Sequence, residues 1–228
     1  MTYKSDEEIQ SEALFQLTWD SRLKQSDIGV TVKKGVVTLT GTVDSYAKKL
    51  AAQKAAHSVP GVLDVANDIE VKVTGSLRRT DSEIARAIRH ALEWDAPVPS
   101  YKIHSTVANG WVTIEGEVEY YSERVAAERA VAHLSGVRGV TNKIGVCVPP
   151  VEPERVRSLI EDVLERRADR EANRIRVSVD EGDVTLTGAV KSWDEKEVIL
   201  GALGHTPGVK MIRDHLFIDP YDVRFASA

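Results

Sequence analysis

The amino-acid sequence predicts an α+β protein made of three tandem modules, each with a helix, a β-hairpin, a second helix and a final strand. The main observation is a glycine-bounded segment, Gly-Val-Val-Thr-Leu-Thr-Gly at 35–41, which recurs in similar form at 110–116 and 182–188. The Gly-Val pairs that begin at Gly61, Gly136 and Gly208 repeat with the same offsets, 75 and 72 residues. A whole module has therefore been triplicated.

The offsets divide the 228 residues into modules at 1–74, 75–149 and 150–228. Each module is near the lower size limit for an independent hydrophobic core, so the copies are expected to support one another. Features present in all three copies are those that the fold requires, whereas a feature of one copy is a candidate for a specific role.

Each module begins with apolar residues at the spacing of an amphipathic helix. These residues are Ile9, Ala13 and Leu17 in the first copy, Ile84, Ile88 and Leu92 in the second, and Val156, Ile160 and Leu164 in the third. Asp6 and Asp81 precede the first two helices and are predicted as their N-caps. Pro153 opens the third, where a missing N–H costs nothing.

A β-hairpin follows in each module, because strict alternation of apolar and polar residues indicates two strands with one buried face. The apolar positions are Ile28, Val30, Val32, Val37, Leu39 and Val43, with equivalents in the other copies. The turns at 33–35, 109–110 and 181–182 contain glycine, which tolerates positive φ. Gly41, Gly116 and Gly188 fall on the apolar phase of the second strand, where close approach by a helix is expected.

The second helix is predicted to begin at Ser45 or Ser192 and to pack closely on the sheet through alanines such as Ala51 and Ala126. A turn then leads to the last strand, at 62–73, 137–148 and 209–218. A right-handed crossover makes this strand parallel to the second one. Each module should therefore be a three-stranded mixed sheet with two helices on one face and the other face uncovered.

Composition excludes several classes of protein. No apolar run approaches the roughly 20 residues of a membrane span, and the polar start leaves no room for a secretory signal, which predicts a cytoplasmic protein. The single cysteine, Cys147, excludes an intrachain disulfide and a multi-cysteine zinc site, and it is expected as a small core residue. The net charge of −5 and the lack of a Gly-x-x-Gly clamp between two helices argue against nucleic acid as a partner.

No pattern indicates an enzyme, a cofactor or a metal site. The six histidines have no metal-ligand spacing, and the phosphate-loop, nucleophile-elbow and His-Glu-x-x-His motifs are missing from the sequence. The acidic turns around Asp183 and at Asp64 to Asp68 offer carboxylates for a cation, but neither has the loop pattern of an EF-hand.

An aromatic residue begins the second helix of every copy: Tyr46, Tyr121 and Trp193. Each ring either packs onto its own module as a hydrophobic staple, or lies half-exposed and contacts lipid headgroups or a neighbouring module. The basic residues Lys48, Lys49 and Arg124 lie within a turn of these aromatics and could meet anionic headgroups. These six residues are the candidates for binding lipid or a partner.

Trp19-Asp20 and Trp94-Asp95 close the first helix in two of the copies. The indoles are expected to cover the open end of the core, or else to line a groove between modules. The uncovered sheet faces are candidate surfaces for self-association.

The order of elements, the central glycines, and the run Pro-Gly-Val-Leu-Asp-Val-Ala-Asn-Asp-Ile at 60–69 resemble the BON domain, named from bacterial osmotically inducible and nodulation proteins. The resemblance covers nearly the whole chain. The third copy departs from it, with Asp214 at the position of Asn67 and Asn142, and with no Trp-Asp pair after its first helix.

The resemblance implies a bacterial, non-enzymatic binding module linked to osmotic or envelope stress and to phospholipid or other hydrophobic surfaces. Many members carry signal peptides, so a lipid role for a cytoplasmic chain would concern the inner face of the membrane. Two hypotheses follow: a peripheral lipid-binding protein, and a structural or cation-responsive protein that self-associates or binds a protein partner.

Overall fold

A computed structural model describes residues 4–23, 27–75, 78–95, 98–148, 152–167 and 175–219, without the side chains of 163–167. Within these residues the chain forms six α-helices, nine strands and a short 3-10 helix at Ser100–Lys102. The first module contains α1 (Asp6–Trp19), β1 (Ile28–Lys33), β2 (Val36–Val43), α2 (Tyr46–His57) and β3 (Asp64–Val71). The second contains α3 (Asp81–Trp94), β4 (Ile103–Ala108), β5 (Trp111–Val118), α4 (Tyr121–Ala132) and β6 (Gly139–Val146). The third contains α5 (Pro153–Arg167), β7 (Ile175–Asp180), β8 (Asp183–Val190), α6 (Trp193–Leu203) and β9 (Met211–Ile218).

Each module has its own mixed sheet, as the sequence predicts. The first two strands are antiparallel and the last is parallel to the second, so the hairpin's second strand is central in every sheet. The register is the same in the three copies: Leu39 pairs with Asn67, Ile114 with Asn142, and Leu186 with Asp214. Three separate apolar cores, one for each module, lie between the sheet and its two helices.

The caps of the first helices differ from the prediction. Ser5 and Thr80 are the N-caps of α1 and α3, and each forms a reciprocal capping box with a glutamate three residues later. Asp6 and Asp81 lie one residue inside, where their carboxylates accept N–H groups of the hairpin turns. Each aspartate therefore joins the first helix to the hairpin. The expected caps Ser45 and Ser192 and the helix start at Pro153 are confirmed.

The central glycines have a different cause from the predicted one. Gly41 has φ of +120°, and a Cβ built there would collide with the backbone carbonyl oxygen of Asp27. Gly116 has φ of +146° and meets the carbonyl oxygen of Lys102 in the same way. The close neighbour is therefore the backbone just before the first strand, and the expectation of an approaching helix is wrong.

Several smaller expectations are also settled. Cys147 is exposed just after β6, so its assignment to the core is wrong. The side chain of Leu164, the linker prolines Pro149 and Pro150, and the tail from 220 onward lie outside the described residues. Among the helices that the structure describes, none is both long and apolar enough to span a bilayer.

Candidate functional site: the joints between modules and the exposed aromatic residues

The first aromatic of the repeated set, Tyr46, lies at the joint between the first and second modules. Its ring starts α2 and packs against the apolar cores of both modules. Burial, together with the nearby carboxylate of Glu128 on α4, raises the pKa of the Tyr46 hydroxyl. The side chain therefore links two modules.

Tyr121 occupies the corresponding position between the second and third modules. Its ring packs against the third core, close to Gly204 at the end of α6. The backbone N–H of Ser122 donates a hydrogen bond of 2.8 Å to the carbonyl oxygen of Gly204. A Cβ at position 204 would lie 3.4 Å from the tyrosine ring, which is an ordinary van der Waals contact, so the joint does not require glycine there.

Trp193 makes the third joint, between the third module and the first. Its indole stacks on the imidazole of His57 with ring centroids 3.7 Å apart and an interplanar angle of 8°. Lys54, one turn before His57 in α2, forms an ion pair of 2.9 Å with Glu197, one turn after Trp193 in α6. These contacts connect the end of α2 to the start of α6, two segments far apart in the chain.

The three joints close a ring, because the start of the second helix in each module contacts the next module in cyclic order. His57, Ala132 and Gly204 occupy corresponding positions under the offsets of 75 and 72 residues, and two of them, His57 and Gly204, receive the aromatic ring of the preceding module. All three rings contact a neighbouring module, and Tyr46 and Trp193 also pack against the core of their own module, so the two interpretations of the repeated aromatics hold together for these two residues. Sequence reasoning missed the role of His57, although the offsets place it at the position of Ala132 and Gly204.

The basic candidates are held near the same joints. Lys48 pairs at 2.7 Å with Asp44, which lies just before the N-cap of the same helix. The Arg124 guanidinium lies 5.8 Å from the Tyr121 ring centroid and donates to the Asn142 carbonyl. Lys49 is half-buried, and its backbone carbonyl accepts a hydrogen bond from Asn67. The six predicted residues therefore fall into three groups, one at each joint: Tyr46 with Lys48 and Lys49, Tyr121 with Arg124, and Trp193 without another predicted residue.

Asn67 and Asn142 fasten the last strand to the second helix. The Asn142 amide donates to the Arg124 carbonyl and to a carboxylate oxygen of Glu128, each at 3.0 Å, while its own oxygen accepts the Ile144 N–H. Asn67 makes the equivalent three bonds. Both amides thus have a structural role in the first two copies.

The third copy replaces this amide by an ion pair. Asp214 lies at the asparagine position, and its carboxylate is 2.8 Å from the ammonium of Lys196, the residue that corresponds to Lys49 and Arg124. Lys196 also donates to the Leu216 carbonyl at 3.0 Å and lies 4.7 Å from the Trp193 ring centroid. The change to Asp214 is therefore compensated by a buried lysine. Through the contact of Lys196 with Trp193, this pair adjoins the joint with the first module.

The tryptophans that end α1 and α3 are exposed, so the expectation that they cover the core is wrong. Trp19 has 71% and Trp94 86% of its surface accessible to solvent. Each has a second exposed aromatic in its module: Phe15, whose ring centroid is 5.7 Å from that of Trp19, and Tyr101, which is 80% accessible. Large exposed aromatic groups at corresponding places in two modules are typical of an interaction surface.

The acidic turns considered for a cation are used within the fold. Asp183 pairs with Arg213 at 2.7 Å across the sheet, and Asp64 accepts a hydrogen bond from the Val65 N–H. Among the described residues, no cluster of three or more His, Cys, Asp or Glu side chains could hold a metal ion.

The geometry defines a class of protein: a repeat protein of three small α+β modules whose repeated aromatics pack at the joints between modules, while other aromatic side chains are exposed to solvent. The chain belongs to the BON domain family, whose family model matches it three times, at 5–73, 80–147 and 154–220.

The curated relatives agree with this assignment. The chain is 29% identical over 146 residues to osmotically-inducible protein Y of Escherichia coli (strain K12), covering 62% of this chain and 73% of that protein. It is 30% identical over 122 residues to an uncharacterized protein in the gshII 5′ region of Anaplasma centrale, covering 52% and 81%. Among solved structures it aligns with CdsD, a structural protein of the type III secretion system of Chlamydia trachomatis, with 15% identity, coverage of 95% and 94%, and a TM-score of 0.29.

Proposed function

We propose that this protein binds a phospholipid surface peripherally, through the exposed aromatic residues at the ends of α1 and α3. The observation that carries the proposal is the recurrence of an exposed indole at Trp19 and Trp94, with Phe15 next to Trp19 and an exposed Tyr101 in the module of Trp94. Indole and phenol rings favour the boundary between headgroups and acyl chains, because one part of each ring is apolar and the other can remain hydrated. The similarity to an osmotically inducible protein supports a role for this binding in the response to osmotic or envelope stress.

The ring arrangement supports a shared binding face. Trp19 and Trp94 occupy corresponding positions, 75 residues apart, in two neighbouring modules of the ring, so we expect both to contact one surface together. Two weak insertions into the same surface reinforce one another, because the second becomes an intramolecular event.

Insertion of aromatic groups, rather than attraction between charges, should supply most of the affinity. The protein carries a net charge of −5, and two cations close in sequence to these aromatics are already paired, Arg22 with Asp20 at 2.6 Å and Lys102 with Glu119 at 3.1 Å. Lys48, one of the candidates for headgroup contact, is paired in the same way. Binding should therefore occur on neutral as well as anionic vesicles and should persist at moderate salt.

Co-sedimentation with vesicles tests the proposal. The protein should sediment with phosphatidylcholine vesicles and with vesicles containing phosphatidylglycerol, and Trp19→Ala/Trp94→Ala should lower binding at least about tenfold. The matched control is Trp111→Ala, since Trp111 is also exposed but lies on a sheet face and donates to Thr141. Equal binding by the double variant and the parent, with circular dichroism showing that both are folded, would reject the aromatic face.

The second hypothesis, a structural protein that self-associates, has less support, since the repeated aromatics already pack against modules of the same chain. Light scattering separates the two: a mass near 25.1 kDa at all concentrations agrees with a monomeric lipid-binding protein. A mass at a multiple of that value, together with no vesicle binding, would favour assembly.

A further inference from the structure

The joint between the third and first modules differs from the other two in its chemistry. It contains an imidazole and a tryptophan where the second-to-third joint contains a glycine and a tyrosine. The Lys196–Asp214 ion pair, which is also particular to the third copy, contacts the same tryptophan through the Lys196 ammonium. Residues that occur in one copy of a repeat are those released from the common requirements of the fold.

This joint also differs in its connection. The first and second modules are joined by the chain at 74–80, and the second and third at 149–152, but no peptide segment directly joins the third module to the first. Closure of the ring therefore depends on non-covalent contacts, above all the stack of His57 on Trp193 and the ion pair of Lys54 with Glu197.

We propose that this joint is a pH-sensitive clasp: it closes the ring while His57 is neutral and releases the third module when His57 gains a proton. The imidazole lies flat on the indole, and its Nε2 atom is buried without a hydrogen-bond partner, as is the Nε1 atom of Trp193. A buried ring nitrogen without an acceptor suits the neutral imidazole, because a proton placed there would have no partner and no water.

The charges around His57 come from three elements. Asp64 on β3 and Glu197 on α6 favour the protonated ring, whereas Lys196 on α6 opposes it. Lys54 on α2 is paired with Glu197, which partly neutralises that carboxylate. Burial is the largest influence, and it lowers the pKa of His57 below its ordinary value of 6.5.

Stacking on the indole does not make the protonated form of His57 more favourable than the neutral one. A protonated imidazole would gain a cation–π attraction to Trp193, but the Lys196 ammonium already lies 4.7 Å from the same ring centroid. Two cations against one indole repel each other, and Asp214 holds Lys196 in place at 2.8 Å. The ion pair particular to the third copy therefore disfavours protonation of the histidine of the first.

The direction of the pH effect follows. In the open ring His57 is hydrated and has a pKa near 6.5, and in the closed ring its pKa is lower, so the open form binds more protons. Closure is fully favoured above pH 6.5 and weakens as the pH falls from that value toward the lowered pKa. The ratio of closed to open molecules should fall up to about tenfold for each pH unit in this interval.

Small-angle X-ray scattering of the full chain between about pH 8 and about pH 5.5 tests the clasp. The radius of gyration should increase on acidification while circular dichroism stays constant, because the modules separate without unfolding. An NMR titration of the imidazoles on the same protein should give His57 a pKa below 6.5. His57→Gln, which cannot gain a proton, should remove the pH dependence.

The matched control is His205→Gln, because His205 lies exposed just after α6 and its Nδ1 contacts the carbonyl oxygen of Gly201 on its own helix. This variant should expand on acidification like the parent. If His57→Gln folds poorly, His57→Ala introduces the residue type found at the corresponding position, Ala132. A constant radius in the parent, expansion that persists in both His57 variants, or a His57 pKa at or above 6.5 would overturn the proposal.

Discussion

Replacing Asp214 by asparagine restores the side chain of the other two copies and should nevertheless destabilise the third module. Asn67 and Asn142 work because their amide groups donate to acceptors on the second helix. In the third copy that helix presents the ammonium of Lys196, a donor, 2.8 Å from the Asp214 carboxylate. Asp214→Asn would leave this cation with only the Leu216 carbonyl, the amide oxygen and the indole of Trp193 as partners.

The expected cost follows from the burial of the pair. The Lys196 side chain is 11% exposed and that of Asp214 26%. Removing one partner of a fully buried ion pair costs about 3–5 kcal/mol. Because Asp214 is a quarter exposed and the asparagine oxygen can still accept a hydrogen bond, we expect a loss of about 2 kcal/mol in the free energy of unfolding. The double variant Lys196→Met/Asp214→Asn should recover part of this loss, since no charge is then left unpaired.

Urea denaturation followed by circular dichroism measures the effect. Asp183→Asn is the matched control: it is the same substitution in the same module, and it breaks an ion pair of 2.7 Å, but the partner Arg213 is largely exposed. This control should change the free energy of unfolding by no more than about 1 kcal/mol. If Asp214→Asn is as stable as the parent, or costs no more than Asp183→Asn, the buried pair does not have the role assigned to it.

Two further predictions concern the hairpin of the first module. Gly41→Ala should destabilise the first module by about 2–3 kcal/mol in urea denaturation, since alanine there combines an unfavourable φ with a collision against the Asp27 carbonyl. Gly75→Ala, with positive φ but open space around it, should cost less, and equal costs would contradict the collision. The Asp6 carboxylate accepts the N–H groups of 34–35, which lowers its pKa below 3.8. Its stabilisation should therefore be complete above pH 3.8 and disappear as the pH falls through the lowered value, so Asp6→Asn and the parent should differ in thermal stability at neutral pH and converge in acid; a constant difference would refute this.

The fold could be predicted because its signals are local and appear three times. Alternation of apolar residues gives the hairpin, the 3.6-residue spacing gives the helices, and a parallel last strand follows from the handedness of the crossover. The cap assignment failed by one residue at Asp6 and Asp81, since serine or threonine one position earlier forms a capping box and frees the aspartate to reach the hairpin turn. Sequence spacing alone does not distinguish these two uses of a polar residue at a helix start.

The candidate site was predicted only in part. The repetition of Tyr46, Tyr121 and Trp193 indicated a common role, but each ring also meets a surface of another module, and a pattern within one module does not identify that surface. The opposite error occurred at Trp19 and Trp94, where a large apolar side chain next to a core helix was expected to cover the core and is in fact exposed. Apolar residues at helix ends lie beyond the periodic pattern that indicates burial.

By itself the sequence determined the three modules, their order of elements, the mixed sheets and the family, because those depend on local periodicity and on a repeat that can be aligned with itself. Only the tertiary structure decided that the modules close a ring, that His57 meets Trp193, and that Lys196 compensates Asp214. These contacts join residues from different secondary-structure elements or different modules, and no regular spacing along the chain encodes them. Their chemistry depends on burial and distance, which exist only once the chain has folded.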